Sequence, residues 1–366
     1  MTAALEHPDV SVVTSGHDVA DARLHRLVAA LQRQGSSVEV LGLGDPAGAP
    51  DGVPVRTWAR PGMLGRARLA ARLGWLARGR VVLVLDPDAL VLAAVATAAR
   101  RRRLVADVHE DYGRLLQDRG WATGLTATVA QVLVRLAERV AARAALTLVA
   151  DEHVPPARAR HRLVVRNEPD PSLLPPVAEP AAEPRAVYVG DVRASRGLVA
   201  MLDAIAAAPH WRLDVVGPVA AGDQAALDAR LAADPDLASR VVWHGRLQPG
   251  AAWEVARGAW AGLCLLQDTP AFRDAVPSKL YEYLAVGLVP VATALPRQRE
   301  LLEDAGAGLV VADAAGAAEA LRLLEADRAL RSTLREKGLA WSRARSAGPT
   351  AYDVAAARIK ELARAR

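Results

Sequence analysis

Along most of this chain, short β-rich runs alternate with stretches whose apolar residues recur at helical spacing. That alternation is the strongest constraint on the fold. Strand–helix–strand units with short links build parallel sheets with helices packed on their faces. In the first half, strands are expected at residues 10–14, 38–43, 53–57, 81–85, 104–108, 146–150 and 163–166. Between them the spacing predicts helices: one with Leu24, Leu27, Val28 and Leu31 on a single face, ended by Gly35, and others at 64–77, 89–99 and 125–144. Residues 168–184, EPDPSLLPPVAEPAAEP, break the pattern. Proline lacks the N–H that a sheet ladder needs, so this segment reads as a linker. The alternation then restarts, with strands at 186–189, 213–216, 241–244, 262–266, 289–292 and 309–311 and helices at 198–208, 225–233, 250–258 and 315–325. Gly348 and Pro349 precede a final helix over 351–365. The expectation is two doubly wound α/β domains facing across a cleft: residues 1–167 with 350–366, and residues 185–349.

In such sheets ligands bind beyond the carboxyl ends of the strands. In the second half those positions hold Gly190-Asp191-Val192-Arg193, Arg196-Gly197, Gly217, His244-Gly245-Arg246-Leu247 and Gln267-Asp268. In the first half they hold Gly16-His17, Asp86, His109-Glu110-Asp111, Asp151-Glu152 and Asn167. Glycines let a ligand approach the backbone, and the donor fork of arginine suits phosphate, although arginines in turns are commonly solvated. A histidine can donate to a sugar hydroxyl or move a proton; the plainer reading of His109 is a ring satisfied by its neighbour Glu110. No GxGxxG follows residue 189 and no GxxxxGK[ST] occurs, so neither the dinucleotide fingerprint nor a P-loop is present. Asp107, His109, Glu110 and Asp111 are dense, but no HExxH or DxD accompanies them, and no metal is expected.

Residues 272–293, FRDAVPSKLYEYLAVGLVPVAT, concentrate the chemistry. Pro277 and Ser278 open a helix, with serine able to cap free N–H groups. Lys279 and Glu282 lie apart from Leu280, Tyr283 and Leu284, and Gly287 stops the helix before a buried strand. A helix N-terminus with an added cation suits an anion, and a carboxylate one turn in can hold a hydroxyl pair. The bland alternative is a solvated Lys279–Glu282 surface pair on an ordinary crossover.

Composition narrows the partners. With 366 residues and 52% hydrophobic residues the chain can fill two cores. A net charge of +5 permits an anionic ligand, and basic and aromatic residues are not interleaved, so nucleic acid is not expected. Cys264 is the only cysteine, which excludes an internal disulfide and fits a reducing, cytoplasmic setting. The opening MTAALEHPDVSVV lacks the pattern of a signal peptide, and no apolar run is long enough to span a bilayer. Residues 56–80 hold Arg60, Arg66, Arg68, Arg72 and Arg78 with no acid. They read as a crossover helix with solvated arginines, or as contact with the inner face of an anionic membrane.

Several segments together resemble a retaining glycosyltransferase of family 4, bacterial and of the GT-B superfamily. These are Tyr188-Val189-Gly190 leading to Arg196-Gly197, Val216-Gly217, residues 242–247, PSKLYEYLAVG at 277–287, and AGAGLVV at 305–311. Asp21-Ala22-Arg23, Asp107-Val108-His109-Glu110 and the last helix, 351–366, extend the resemblance into the first half. It implies two Rossmann-like domains. The reaction would be that of a hexosyltransferase-type enzyme (EC 2.4), moving a sugar from a nucleotide-diphosphate sugar to an acceptor hydroxyl with retention. The setting would be glycan, glycolipid or natural-product glycoside synthesis, with no cofactor beyond the donor.

The resemblance also implies roles. His109, Arg196, Lys279 and Asp274 would be catalytic. Gly190, Arg193, Gly217, Arg246, Leu247, Ser278 and Glu282 would bind the donor. Gly16, His17, Asp21, Arg23 and Glu110 would lie on the acceptor side, toward a sugar, lipid-linked or small-molecule acceptor. Asp191 stands where the family has an arginine, and Asp274 where it more often has glutamate. A nucleotide-sugar epimerase or phosphorylase of the same fold, and a non-catalytic sugar-nucleotide-binding protein, are the competing readings.

Overall fold

The computed structural model describes residues 7–117 and 124–365. The chain divides into two compact units, Met1–Asn167 with Pro349–Arg366, and Glu168–Gly348. Residues 1–6 of the opening segment and Arg366 of the last helix lie outside the described residues.

In the first unit the elements run β1 (Val10–Asp18), α1 (Ala22–Arg33), β2 (Val38–Leu43), β3 (Val55–Trp58), α2 (Met63–Leu76), β4 (Val81–Val84), α3 (Pro87–Ala99), β5 (Arg103–Val108), α4 (Tyr112–Gln117), α5 (Gly124–Arg143), β6 (Leu146–Val149) and β7 (Arg162–Val164). The strands form one seven-stranded parallel sheet in the order β3-β2-β1-β4-β5-β6-β7. Runs such as VVLV in β4 are buried on both sides, because helices cover both faces. The strand order reverses between β1 and β4, and the carboxyl ends there form the switch point at which such sheets bind ligands.

β1 is longer than its apolar run. Val13 pairs with Leu41 and Asp18 with Leu43, so Ser15, Gly16 and His17 bulge out of the ladder at the switch point. Asp21 then caps α1, accepting from the N–H groups of Arg23 (2.9 Å) and Leu24 (3.1 Å).

The second unit runs β8 (Arg185–Val189), α6 (Leu198–Ala206), β9 (Arg212–Val216), α7 (Gln224–Ala232), α8 (Pro235–Arg240), β10 (Val241–Gly245), α9 (Pro249–Ala256), β11 (Ala261–Cys264), α10 (Pro270–Arg273), α11 (Ser278–Val286), β12 (Val289–Thr293), α12 (Pro296–Ala305), β13 (Leu309–Val311), α13 (Ala314–Ala326) and α14 (Arg328–Arg345). Its six parallel strands order as β10-β9-β8-β11-β12-β13, with the switch point between β8 and β11. The proline-rich segment is part of this unit: the Trp260 indole donates to Ala181 O at 2.7 Å and Arg335 to Ala178 O at 2.7 Å.

α15 (Ala351–Arg364) returns to the first unit. A capping box starts it: Thr350 Oγ1 accepts from Asp353 N, and Asp353 accepts from Thr350 N. Tyr352, Ala355, Ile359 and Ala363 are buried in the core that holds Leu24, Leu27 and Leu31 of α1.

Candidate active site

At the β8/β11 switch point, Lys279 of α11 is 7% exposed and its Nζ lies 3.8 Å from the centre of the Tyr188 ring. The Tyr188 hydroxyl donates to Asp191 O at 2.8 Å, which holds the ring under the ammonium. A Cβ on Gly190 would stand 3.2 Å from Nζ, so the ammonium lies against the loop after β8. Lys279 has no carboxylate partner among the described residues. Arg196 belongs to the turn before α6 and likewise makes no ion pair among the described residues. Both cations lie near the end of β11: burial pushes the Cys264 thiol up to about 11, and Lys279 and Arg196 each oppose that rise. Two unneutralised cations thus flank one strand end.

α11 opens with Pro277 as its N-cap residue, and no side chain caps it. Ser278 was expected to cap. It is the first helical residue instead, and its hydroxyl turns inward to Glu282 Oε2 at 3.3 Å. The first-turn N–H groups remain without a side-chain cap beside Lys279, which favours an anion. Glu282 is 5% exposed, so Lys279 and Glu282 are not a solvated surface pair. Tyr283 and Leu284 anchor α11 in the core.

The remaining donor-side residues surround this point. Gly190 and Gly217 both have positive φ, 135° and 141°. A Cβ on Gly217 would meet Gly190 O at 2.0 Å, so only glycine lets the loops after β8 and β9 touch. Asp191 accepts from Arg246 at 3.2 Å and lies 3.9 Å from Arg193. It gathers both guanidinium groups. Leu247 is half-buried beside Arg246. Asp274 is exposed at the end of α10, after the Arg273–Asp268 pair of 2.7 Å.

The first unit carries a second polar cluster, at the β1/β4 switch point. Asp86, just after β4, is buried and accepts from Thr14 Oγ1 (2.5 Å), Ser15 N (2.8 Å) and Gly16 N (3.1 Å). Its other oxygen lies 2.9 Å from His17 Nδ1. His17 Nε2 in turn lies 3.2 Å from His109 Nε2, with the rings edge to face. Burial works against charge on His17, but Asp86 outweighs it and the pKa is raised. Burial, then the charge of His17, lowers the pKa of His109. His17 is therefore the imidazolium and donates from Nε2, and His109 is neutral and accepts. The proton on His109 then sits at Nδ1, which is buried and has no hydrogen-bond partner among the described residues.

Gly16 is packed tightly between the Arg66 guanidinium and Asp86. Asp21 faces both histidines; burial disfavours its charge, but His17 and His109 hold its pKa below the usual carboxylate value. Glu110 is exposed, and His109 pairs with His17 and not with Glu110.

Arg23 departs from expectation. It is not on an acceptor surface but buried, gripping Asp107 with two bonds of 2.7 and 2.6 Å and donating to Val165 O and Asn167 Oδ1. Asp107 also lies 3.8 Å from His109 Nδ1, so the Arg23–Asp107 pair braces the histidine cluster from inside. Sequence reading placed Asp86 at a strand end but gave it no role, and it gave none to Tyr188. Asp86 is a lone acid after a strand, and only the parallel pairing of β1 with β4 brings it to His17.

Residues 173–341, nearly all of the second unit, match the family model of glycosyl transferases group 1. The second unit thus resembles the group 1 glycosyltransferases. No curated protein matches it by sequence. Solved structures match over nearly the full length of both chains. HepE of Anabaena in complex with UDP-glucose aligns with a TM-score of 0.70, 19% identity and 98% of each chain covered. Sucrose-phosphate synthase of Thermosynechococcus elongatus aligns at 0.69 and 17%, over 97% of this chain and 98% of that one. WaaG, a glycosyltransferase of lipopolysaccharide biosynthesis, aligns at 0.63 and 16%, over 96% and 99%. The chain therefore has the GT-B fold of these structures. No helix among the described residues is long and apolar enough to cross a membrane, and no three His, Cys, Asp or Glu side chains among them cluster as metal ligands.

Proposed function

We propose that this chain is a glycosyltransferase that takes its sugar from a nucleoside-diphosphate sugar bound at the β8/β11 switch point and transfers it with retention of configuration to an acceptor hydroxyl. One observation carries the reading: Lys279 is a buried cation with no carboxylate among the described residues, set at the uncapped start of α11. A buried ammonium is costly unless an anion meets it, and a diphosphate meets that need. Arg196 supplies the second charge, the α11 N–H groups bind phosphate oxygens, and Glu282 accepts from the ribose hydroxyls. Arg246 and Leu247 border the base.

As the bond from the anomeric carbon to the diphosphate breaks, negative charge builds on the leaving oxygen. Lys279, Arg196 and the helix start are already oriented toward that charge, so they stabilise the transition state more than the ground state. The acceptor hydroxyl attacks on the face the diphosphate leaves, and the configuration is kept. The first unit holds the acceptor, beside the His17–His109 pair at the β1/β4 switch point. We place the reaction in the cytoplasm, in line with a single, buried cysteine.

HepE was solved with UDP-glucose, which makes uridine donors the first to test. A thermal-shift screen of UDP-, GDP- and ADP-sugars should raise the melting temperature with one base, since a ligand bound to the native state stabilises it. Lys279→Ala should abolish that shift. A matching shift in the variant would remove the basis of the reading.

A further inference from the structure

A groove of about 490 Å³ runs between α3 and α5, at the amino ends of β5 and β6. It lies at the opposite end of the first unit's sheet from Asp86 and His109. Arg102, Arg103, Arg139, Arg143 and Arg160 line it over a floor of alanine, leucine and valine side chains, and no carboxylate lines it. None of the five forms an ion pair among the described residues. A cation at a helix C-terminus complements the dipole, and that accounts for Arg143 in the last turn of α5. It does not account for Arg103 on β5 or Arg160 in the loop before β7. Burial and the neighbouring Arg100 lower the pKa of Arg102, and the charge of Glu39 only partly opposes them.

An apolar stripe leads into this groove. Val129, Val132 and Leu136 follow one another on the outer face of α5 and are 61%, 57% and 41% exposed; Arg139 and Arg143 continue the same line. Val95 on α3, 63% exposed, flanks it. The arrangement has the two halves of an amphiphile's footprint, exposed aliphatic side chains beside unpaired cations. By contrast, the arginine-rich segment 56–80 is partly neutralised. Arg66 binds Asp88 at 2.8 Å, Arg78 binds Glu39 at 2.7 Å, and Leu69 and Leu73 of α2 are core residues.

We infer that the α3–α5 groove and its stripe dock the first unit on an anionic phospholipid surface. Lipid phosphates lie among the five arginines, and Val95, Val129, Val132 and Leu136 enter the boundary between headgroups and acyl chains. Charge complementarity selects this occupant: a groove with five cations and no acid repels an acidic-poor or basic partner surface and attracts a sheet of phosphates.

Co-sedimentation of the full chain with phosphatidylcholine vesicles, with and without phosphatidylglycerol, tests it. Binding is expected only with phosphatidylglycerol and should fall with added salt. Each arginine near such a surface contributes about a fivefold gain in partitioning, so R139E/R143E should lose at least about thirtyfold. V132D should weaken binding with the arginines intact. Both variants should keep the nucleotide-induced thermal shift of the second unit, which shows that they are folded. Wild-type vesicle binding by R139E/R143E would overturn the inference, as would no binding to phosphatidylglycerol vesicles. A thermal shift with inorganic pyrophosphate that vanishes in R139E/R143E, without vesicle binding, would assign the groove to a soluble phosphate compound and overturn it too.

Discussion

His17 Nε2 and His109 Nε2 face each other at 3.2 Å, and the Asp86 carboxylate on the far side of His17 decides which ring carries the charge. A buried carboxylate next to one imidazole raises that ring's pKa, and the resulting cation lowers the next one's. The outcome is a fixed order of protons: Asp86 ionised, His17 charged, His109 neutral with its hydrogen on Nδ1. The polar cluster of the first unit thus holds its protons in one defined order.

Replacing His17 with glutamine removes the cation but keeps a hydrogen-bonding side chain. The His109 pKa should then rise toward its ordinary value, though burial still holds it down. If neutral His109 is the active form, activity is lost as pH falls through that pKa, so the acid limb of the kcat/KM profile should move to higher pH in His17→Gln. Stability should respond in the opposite window. The charged His17 stabilises the fold fully below its unfolded value and loses that contribution as pH rises through the raised folded one. The wild-type advantage over His17→Gln in melting temperature should therefore shrink at alkaline pH. An unshifted acid limb would separate His17 from His109.

Arg23 and Asp107 form a buried ion pair whose remaining donors are spent on Val165 O and Asn167. Arg23→Ala leaves Asp107 charged and unpaired in the interior, which costs about 3–5 kcal/mol. Adding Asp107→Leu should recover part of that loss, because the orphaned charge is gone. Urea unfolding of the single and double variants measures both. A single variant as stable as the parent would show that the pair braces nothing.

Most of the fold is legible in the chain because the signal is local. The β-rich runs and the Gly35 and Gly287 stops placed β2, β13 and α11 within a residue or two. Elements without an apolar stripe escaped. α14 buries only Gly338, Leu339 and Ser342 along eighteen residues, and α12 follows Pro296 with a mostly charged sequence. At the site, Lys279 and Glu282 were readable from a helix start after a polar loop. The role of Arg23 was not, since a surface arginine and a buried one look alike until Asp107, 84 residues away, is known to sit beside it. The His17–His109 contact depends on a bulge in β1 that an apolar run cannot signal.

Gly197 joins the turn of Arg193 and Arg196 to α6 with φ 88°, and a Cβ there would meet Leu265 O at 2.1 Å. Gly197→Ala must strain the backbone and push the turn off β11. The expected cost is about 1–3 kcal/mol of stability. The donor KM should rise as well, since Arg196 moves with the turn. Thermal melts and donor saturation curves read the two effects separately. A variant with both values unchanged would show that the turn does not depend on this close approach.

Lys279 allows a sharper test than most catalytic cations, because stability and activity should part company. In the free protein its ammonium is buried against Tyr188 with no carboxylate among the described residues. Removing it in Lys279→Ala deletes an unpaired buried charge, so the melting temperature without ligand should stay level or rise. The donor's leaving charge loses a preorganised partner, and kcat/KM should fall about a hundredfold or more. Lys279→Arg should restore it only in part, since the guanidinium is bulkier than the compact ammonium and spreads its charge over a planar fork. Glu282→Gln should instead weaken binding of the whole nucleotide while sparing inorganic pyrophosphate, because the carboxylate is assigned to the ribose and not to the phosphates. Isothermal titration with nucleoside diphosphate and with pyrophosphate separates these roles, and equal losses for both ligands in Glu282→Gln would refute the assignment.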